Sequence, residues 1–205
     1  RECSYCPVAD SNRGNKQDHM NDKIYRKVIN NLKEINYNHK LMLNLYNEPL
    51  ADDDIFNRIQ KARNKLPEAY MVFNSNGDFV TKNKLDKLVE VGNDAIFITL
   101  HEDENYKDQN QLKAIKCFFE KINLKHTIDE FIPNKFILSK EKYKGMKIKV
   151  MSNNWDKYGN YRAGAVEKLK SKDVRNKPCM RPIREFTISQ NGDVYPCCNF
   201  FLGDD

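Results

Sequence analysis

Apolar positions along the chain follow two alternating periods. Asn21 or Asp22 can cap a helix that carries Ile24, Val28, Leu32 and Ile35 on one face. Leu41-Met42-Leu43-Asn44-Leu45 is a short apolar run that ends in Tyr46-Asn47-Glu48-Pro49, the signature of a buried strand running into a loop. Asp52 to Lys65 returns to helical spacing through Ile55, Ile59 and Ala62. Tyr70-Met71-Val72-Phe73 is a second strand, broken by Asn74-Ser75-Asn76-Gly77. Lys84 to Val91 is helical and stops at Gly92, a natural C-cap. Ala95 to Leu100 is a third strand, and a further helix runs from about Gln109 to Lys121.

Strand and helix alternating at this rhythm predict repeated βαβ units and a parallel sheet. In such folds the functional loops lie beyond the carboxyl ends of the strands. Those loops here are Asn47-Glu48-Pro49, Asn74 to Gly77, and Thr99-Leu100-His101-Glu102. Past Phe131 the rhythm fades. Met146 to Met151 alternates as a last strand would, and Ser152 to Gly164 reads as a loop. Near the end, Glu185 to Ser189 and Val194-Tyr195 flank Asn191-Gly192, a strong hairpin signal that delivers Cys197-Cys198.

Composition narrows the class. The 205 residues are 40% hydrophobic and 31% charged, which describes a globular chain with room for a sizeable core. No apolar run approaches the roughly 18 residues a spanning helix needs, so no membrane partner is expected. The net charge of +6 comes from lysines interleaved with acidic residues, which argues against nucleic acid. The chain opens on Arg1-Glu2-Cys3 without a Met and closes on Gly203-Asp204-Asp205, so it reads as a fragment with both edges missing. No secretory leader opens it, and a cytoplasmic location is expected.

Five of the six cysteines sit in two terminal clusters, Cys3 and Cys6 at one end and Cys179, Cys197 and Cys198 at the other. Reduced cysteines in a cytosolic protein are more often metal ligands or catalytic groups than disulfides. Cys117, alone in an amphipathic helix, is expected as a small buried hydrophobe. A Cys-x-x-Cys pair by itself leaves a redox pair and half a zinc site both open. Glu48-Pro49 and Asn76-Gly77 taken singly are compatible with ordinary turns.

Together these segments resemble the radical S-adenosylmethionine (SAM) superfamily. Cys3, Tyr5 and Cys6 match the end of its Cys-x-x-x-Cys-x-aromatic-Cys signature, with the first cysteine falling before Arg1. The resemblance implies that these thiolates hold a [4Fe–4S] cluster whose open iron is chelated by SAM, with Tyr5 near the adenine. Asn47-Glu48-Pro49-Leu50 resembles the family's Gly-Gly-Glu-Pro motif, with Tyr46-Asn47 where glycines are usual. Glu48 would accept from the SAM ammonium. Asn74 to Gly77, with Asn74 and Asn76, resembles the Thr-Asn-Gly segment after the third family strand. Thr99 resembles the fourth-strand hydroxyl that reaches SAM. The tail adds Cys179-x(12)-Gly192-x(4)-Cys197, which resembles the opening of the SPASM or twitch extension. There Cys179 and Cys197 would hold an auxiliary [4Fe–4S] cluster, with Cys198 a non-ligand neighbour. Asn160-Tyr161-Arg162-Ala163-Gly164 resembles the Asn-Arg-Gly-Gly stretch that precedes that extension.

The implied architecture is an α/β partial (β/α)6 barrel over residues 1–151, its first strand and first cluster cysteine missing. A small hairpin-containing SPASM/twitch domain would begin in 152–205. The implied activity is reductive cleavage of SAM to a 5′-deoxyadenosyl radical that abstracts hydrogen from a substrate C–H. An electron donor such as flavodoxin or ferredoxin would be a partner. A peptide or protein substrate is the leading expectation, and dehydrogenation or rearrangement of a sugar or aminocyclitol is the alternative. A structural zinc module is the remote one. Tyr158, Tyr161, His101 and Cys117 are equal candidates for a hydrogen donor.

Overall fold

The computed structural model describes residues 19–101, 106–159, 164, 166–169 and 176–199. Cys3, Tyr5, Cys6, Glu102, Tyr161 and the rest of the 160–163 segment lie outside the described residues. The chain divides into two compact units, Ile29–Asn154 and a second comprising Arg1–Val28 with Trp155–Asp205.

Helix α1 (Asp22–Glu34) starts where Asn21 Oδ1 accepts the Lys23 amide, an ordinary N-cap. Its buried residues are Tyr25 and Ile29; Ile24, Val28 and Leu32 are half-buried, and Ile35 is 69% exposed. The buried stripe is therefore turned by one residue from the expected one, because the aromatic Tyr25 takes the core position. Asn36, at φ 51°, ends the helix.

In the Ile29–Asn154 unit, β1 (Lys40–Met42), β2 (Tyr70–Ser75) and β3 (Ala95–Leu100) run parallel in that order. Helices α2 (Ile55–Lys65) and α3 (Lys82–Glu90) provide the crossovers. As expected, Ile55, Ile59 and Ala62 are the buried stripe of α2, joined by Phe56. Thr81 Oγ1 caps α3 by accepting the Lys84 amide, and Gly92 (φ +80°) closes it. β1 is shorter than its apolar run, because beyond Met42 the chain folds into the loop described below.

After α4 (Asp108–Lys121) the parallel expectation fails in part. β4 (Glu130–Ile132), β5 (Phe136–Tyr143) and β6 (Met146–Asn153) form an antiparallel meander. β6 pairs with β3 in parallel, so the sheet order is β1-β2-β3-β6-β5-β4. Lys144 (φ 48°) and Gly145 (φ +91°) make the β5–β6 turn, both in the left-handed region that a two-residue hairpin turn requires. Only the second of those positions carries a turn residue, which is why the hairpin went unseen in the sequence. The strand expected at Met146 to Met151 is present and extends to Asn153.

Helix α4 covers one face of the sheet through Gln111, Ile115, Phe118 and Phe119. Cys117 lies two residues past Ile115, on the far side of the helix, and is exposed; the buried placement expected for it is wrong. On the same face of the sheet Ser152 Oγ donates to Gln111 Oε1, tying β6 to α4.

Arg63 of α2 fastens the crossovers together. Its guanidinium donates to the carbonyls of Pro67, Ala69 and Gly92 and to Asp94 Oδ2, which also accepts the Met71 amide. One planar fork thus anchors the loops that lead into both β2 and β3.

In the other unit, α5 (Trp155–Tyr158) and α6 (Arg181–Arg184) are single turns. β7 (Thr187–Ile188) and β8 (Val194–Tyr195) pair antiparallel, the hairpin expected around Asn191-Gly192. Ser189 Oγ accepts the amides of Asn191 and Asp193 and sets the turn, with Gly192 at φ +92°.

Candidate active site

The loop after β1 is built from its own side chains. Asn47 Oδ1 accepts the Leu45 amide at 3.1 Å, and Asn44 Oδ1 accepts the Asn74 amide of β2 at 3.0 Å. The chain then enters a one-turn 3-10 helix, Pro49–Ala51, with Glu48 in extended geometry as its N-cap. Pro49 fixes φ at the first position, and Leu50 is fully buried, so the turn is pinned in the core. Lys84 Nζ donates to the Leu50 carbonyl at 2.6 Å from α3.

This arrangement aims the Glu48 carboxylate at the end of β2. Oε1 accepts the Leu50 amide at 3.2 Å and the Ser75 hydroxyl at 2.9 Å. Oε2 accepts the Asn76 amide at 2.7 Å. Ser75 Oγ in turn accepts the Gly77 amide at 3.0 Å, so a single buried hydroxyl joins carboxylate and backbone. Burial pushes the Glu48 carboxyl above its ordinary value, and the Asp78 charge adds to this. Its three hydrogen bonds pull the other way without cancelling the shift.

Gly77 passes tightly over the end of β3. A Cβ there would lie 3.0 Å from Leu100 Cδ2 and 3.1 Å from Ile98 Cγ2, at φ +83°. Asn76 Oδ1 accepts the Asp78 amide, which completes the turn.

Of the strand-end residues singled out in the sequence, Glu48 and Asn76 meet, through the Asn76 backbone. Asn74 instead meets Asn44, and its Nδ2 lies 3.7 Å from Met42 Sδ. The Asn47 side chain holds its own loop. Thr99 is half-buried and stands beside Met151 on the opposite face of the sheet from Leu100. Sequence reasoning missed Ser75 and Asn44. The available signal for Ser75 was strand alternation, which puts its hydroxyl on the same buried face as Met71 and Phe73.

In the smaller unit, Cys179 is exposed and Cys197 and Cys198 are half-buried. Arg181 Nη1 donates to Cys198 Sγ at 2.8 Å and to Glu185 Oε1 at 3.2 Å. Among the described residues no three His, Cys, Asp or Glu side chains gather as a metal site.

The Glu48 carboxylate is thus held at the ends of neighbouring parallel strands, where ligands bind in open α/β sheets. A profile of the Radical SAM superfamily matches residues 1–148, and the chain belongs to that superfamily. It is accordingly a radical SAM oxidoreductase, with a [4Fe–4S] cluster and SAM as cofactors. It is 23% identical over 201 residues to the S-adenosyl-L-methionine-dependent 2-deoxy-scyllo-inosamine dehydrogenase of Niallia circulans, covering 98% of this chain and 70% of that protein. The crystal structure of BtrN in complex with AdoMet and 2-DOIA matches with a TM-score of 0.65 at 19% identity, over 97% of this chain and 68% of that one. BtrN in an open conformation matches with a TM-score of 0.59 at 19% identity, over 97% of this chain and 64% of that one. These structures share the fold of a partial radical SAM barrel. No described helix is long and apolar enough to cross a membrane.

The residues present fit SAM at Glu48. Oε1 carries two donors and Oε2 only one. A carboxylate accepts about four, so Oε2 retains room for a cationic N–H.

Proposed function

We propose that the chain is a SAM-dependent radical dehydrogenase that oxidises a hydroxyl-bearing small ring, of the type an aminocyclitol represents. The supporting observation is the similarity to the 2-deoxy-scyllo-inosamine dehydrogenase, which runs over 98% of the chain, the cysteine-rich end included. Peptide modification, the leading expectation from sequence, gives way to its small-molecule alternative, which is the reading this similarity backs.

In this proposal Cys3 and Cys6 ligate the SAM-binding cluster and Tyr5 packs beside the adenine. When bound, SAM and the reduced cluster supply a 5′-deoxyadenosyl radical that takes hydrogen from a substrate carbon. Glu48 receives the SAM ammonium at Oε2, and Ser75 and the Asn76 amide keep its carboxylate from rotating. Asn47, Asn74, Asn76 and Thr99 line the same strand ends. Converting a C–OH carbon to a carbonyl also releases a proton and a second electron. Cys179 and Cys197, at the start of a SPASM/twitch extension in 152–205, would hold an auxiliary cluster, which would supply an acceptor for that electron. Arg181 and Glu185 engage the Cys198 thiol, which favours Cys197 as the ligand of the pair. A flavodoxin or ferredoxin supplies the first electron.

The test is anaerobic reconstitution with iron and sulfide, reduction, and addition of SAM with a panel of cyclitols and peptides. Formation of 5′-deoxyadenosine with a ring ketone, absent in Cys6→Ala, is the expected result. Nucleoside formed only with peptides sinks the small-molecule reading. Zinc in place of iron, with SAM intact, sinks the radical reading for this chain.

A further inference from the structure

The face of the sheet turned away from α4 carries an unusual set of charges. In the β5–β6 ladder Lys140 stands directly opposite Lys149, and Lys142 directly opposite Lys147. Strand alternation puts all four side chains on that face. Like charges directly opposed across a ladder are destabilising. Only Lys140 is relieved by a carboxylate, Glu130 at 2.9 Å.

Lys147 and Lys149, and Lys40 of β1 beside them, rest on rings. Lys149 Nζ lies 5.8 Å from the centroid of Phe97, and Lys40 of β1 lies 5.5 Å from the same ring. Lys147 Nζ lies 5.4 Å from the Tyr70 centroid, reaching past Ala95. Among the described residues none of Lys40, Lys147 and Lys149 has a carboxylate partner. A ring attracts an ammonium weakly and leaves its N–H donors free for another acceptor.

The same face is concave at this place. A cavity of about 270 Å³ is lined by Lys140, Lys149, Glu130, Met151, Asn153 and the Phe136–Leu138 pair. It adjoins Thr99, because Met151 is the ladder partner of Thr99. A hollow with two lysines, one carboxylate paired to the first of them, and three apolar side chains therefore begins one strand away from the strand-end residues.

We propose that this cavity binds an anionic group, phosphate or carboxylate, carried by the substrate ring, with Lys149 its principal ligand and Asn153 an adjoining donor. The proposal rests on the small-molecule reading above and deepens it. It also separates this chain from its relative, since the amine of an inosamine is a cation that these lysines would repel. Repulsion built into the empty ladder is relieved when the anion arrives.

The experiment titrates the reconstituted, SAM-loaded chain by calorimetry with four rings: inositol monophosphate, quinate, neutral inositol and 2-deoxy-scyllo-inosamine. One of the two anions is expected to bind about tenfold or more tightly than the neutral ring, and more weakly as salt is raised. Whichever anion wins identifies the group. Lys149→Gln should lose most of that preference and Lys149→Arg should keep it. Lys149→Gln should also melt no lower than the parent without ligand, because it removes a like-charged neighbour of Lys140. Equal or tighter binding of the neutral or amine ring overturns the proposal, as does an unchanged preference in Lys149→Gln. Release of 5′-deoxyadenosine with the amine but with neither anion would overturn it while the dehydrogenase reading stood. Anion preference without nucleoside from any ring would uphold the cavity and refute the dehydrogenase.

Discussion

Replacing Ser75 with Ala tests how the Glu48 carboxylate is held. The hydroxyl donates to Glu48 Oε1 at 2.9 Å and accepts the Gly77 amide at 3.0 Å, and Ser75 is 5% exposed. A hydrogen bond to a half-buried carboxylate contributes about 1.5 kcal/mol. Stranding the buried Gly77 amide costs about 1 kcal/mol more. The total of about 2.5 kcal/mol corresponds to a fall in melting temperature of roughly 5–10 °C for a chain of this size. Urea unfolding of Ser75→Ala, Glu48→Gln and the double variant closes a double-mutant cycle. A coupling energy of about 1 kcal/mol or more is expected between the two sites. Weaker SAM binding should accompany it, since a carboxylate freed to rotate no longer presents Oε2 in one direction. Additive losses, or a Ser75→Ala loss under about 0.5 kcal/mol, would refute the clamp.

Three further outcomes follow from the geometry. Gly77→Ala should destabilise by at least about 2 kcal/mol, from its left-handed φ and the crowding against Leu100 and Ile98, as read by thermal melting. Arg63→Lys should cost about 2–3 kcal/mol, because an ammonium cannot serve three carbonyls and Asp94 at once; equal melting temperatures would dismiss the fork. The third concerns pH. The Glu48 carboxyl is raised on folding, so its protonated form is the one the fold favours. Its stabilising contribution is complete below the ordinary Glu value of about 4.3 and fades as pH rises through the higher folded value. The stability gap between the parent and Glu48→Gln should therefore shrink as pH rises through that window, and a gap that widens contradicts the assignment.

The α/β half was legible because its signals are local and agree with one another. The stripe of Ile55, Ile59 and Ala62 and the stop at Gly92 each appear in sequence as they do in space, whereas the cap at Thr81, ahead of the expected helix start at Lys84, came only from the structure. The meander was not legible. Its turn is Lys144-Gly145, and the alternation of β5 is masked by Lys140, Glu141 and Lys142, which look like solvated surface. The lysine ladder was invisible for the same reason, since only register reveals that Lys140 faces Lys149. At the site, Glu48 was readable from its Pro49 neighbour. The roles of Asn47 and Asn74 as loop fasteners depend on contacts with Leu45 and Asn44 that no spacing rule specifies. Cys117 departs from the usual burial of a free cysteine because it lies about 200° around the helix from Ile115, away from the buried face of Gln111, Ile115, Phe118 and Phe119.

The position of β6 between β3 and β5 has a consequence for how the chain reaches this state. The β5–β6 hairpin closes over two residues, a local step of the kind that occurs on a microsecond scale. The β1-β2-β3 set assembles through its own short crossovers. The two halves join along the β3–β6 seam, with α3 and α4 tied to the hairpin through Asp86 with Tyr143 and Lys144 and through Gln111 with Ser152; these partners lie far apart in sequence, and bringing them together carries a large entropy cost. Ile148 and Val150, buried on that seam, sit where the rate of folding is decided, whereas the β1 edge governs how quickly the finished sheet frays.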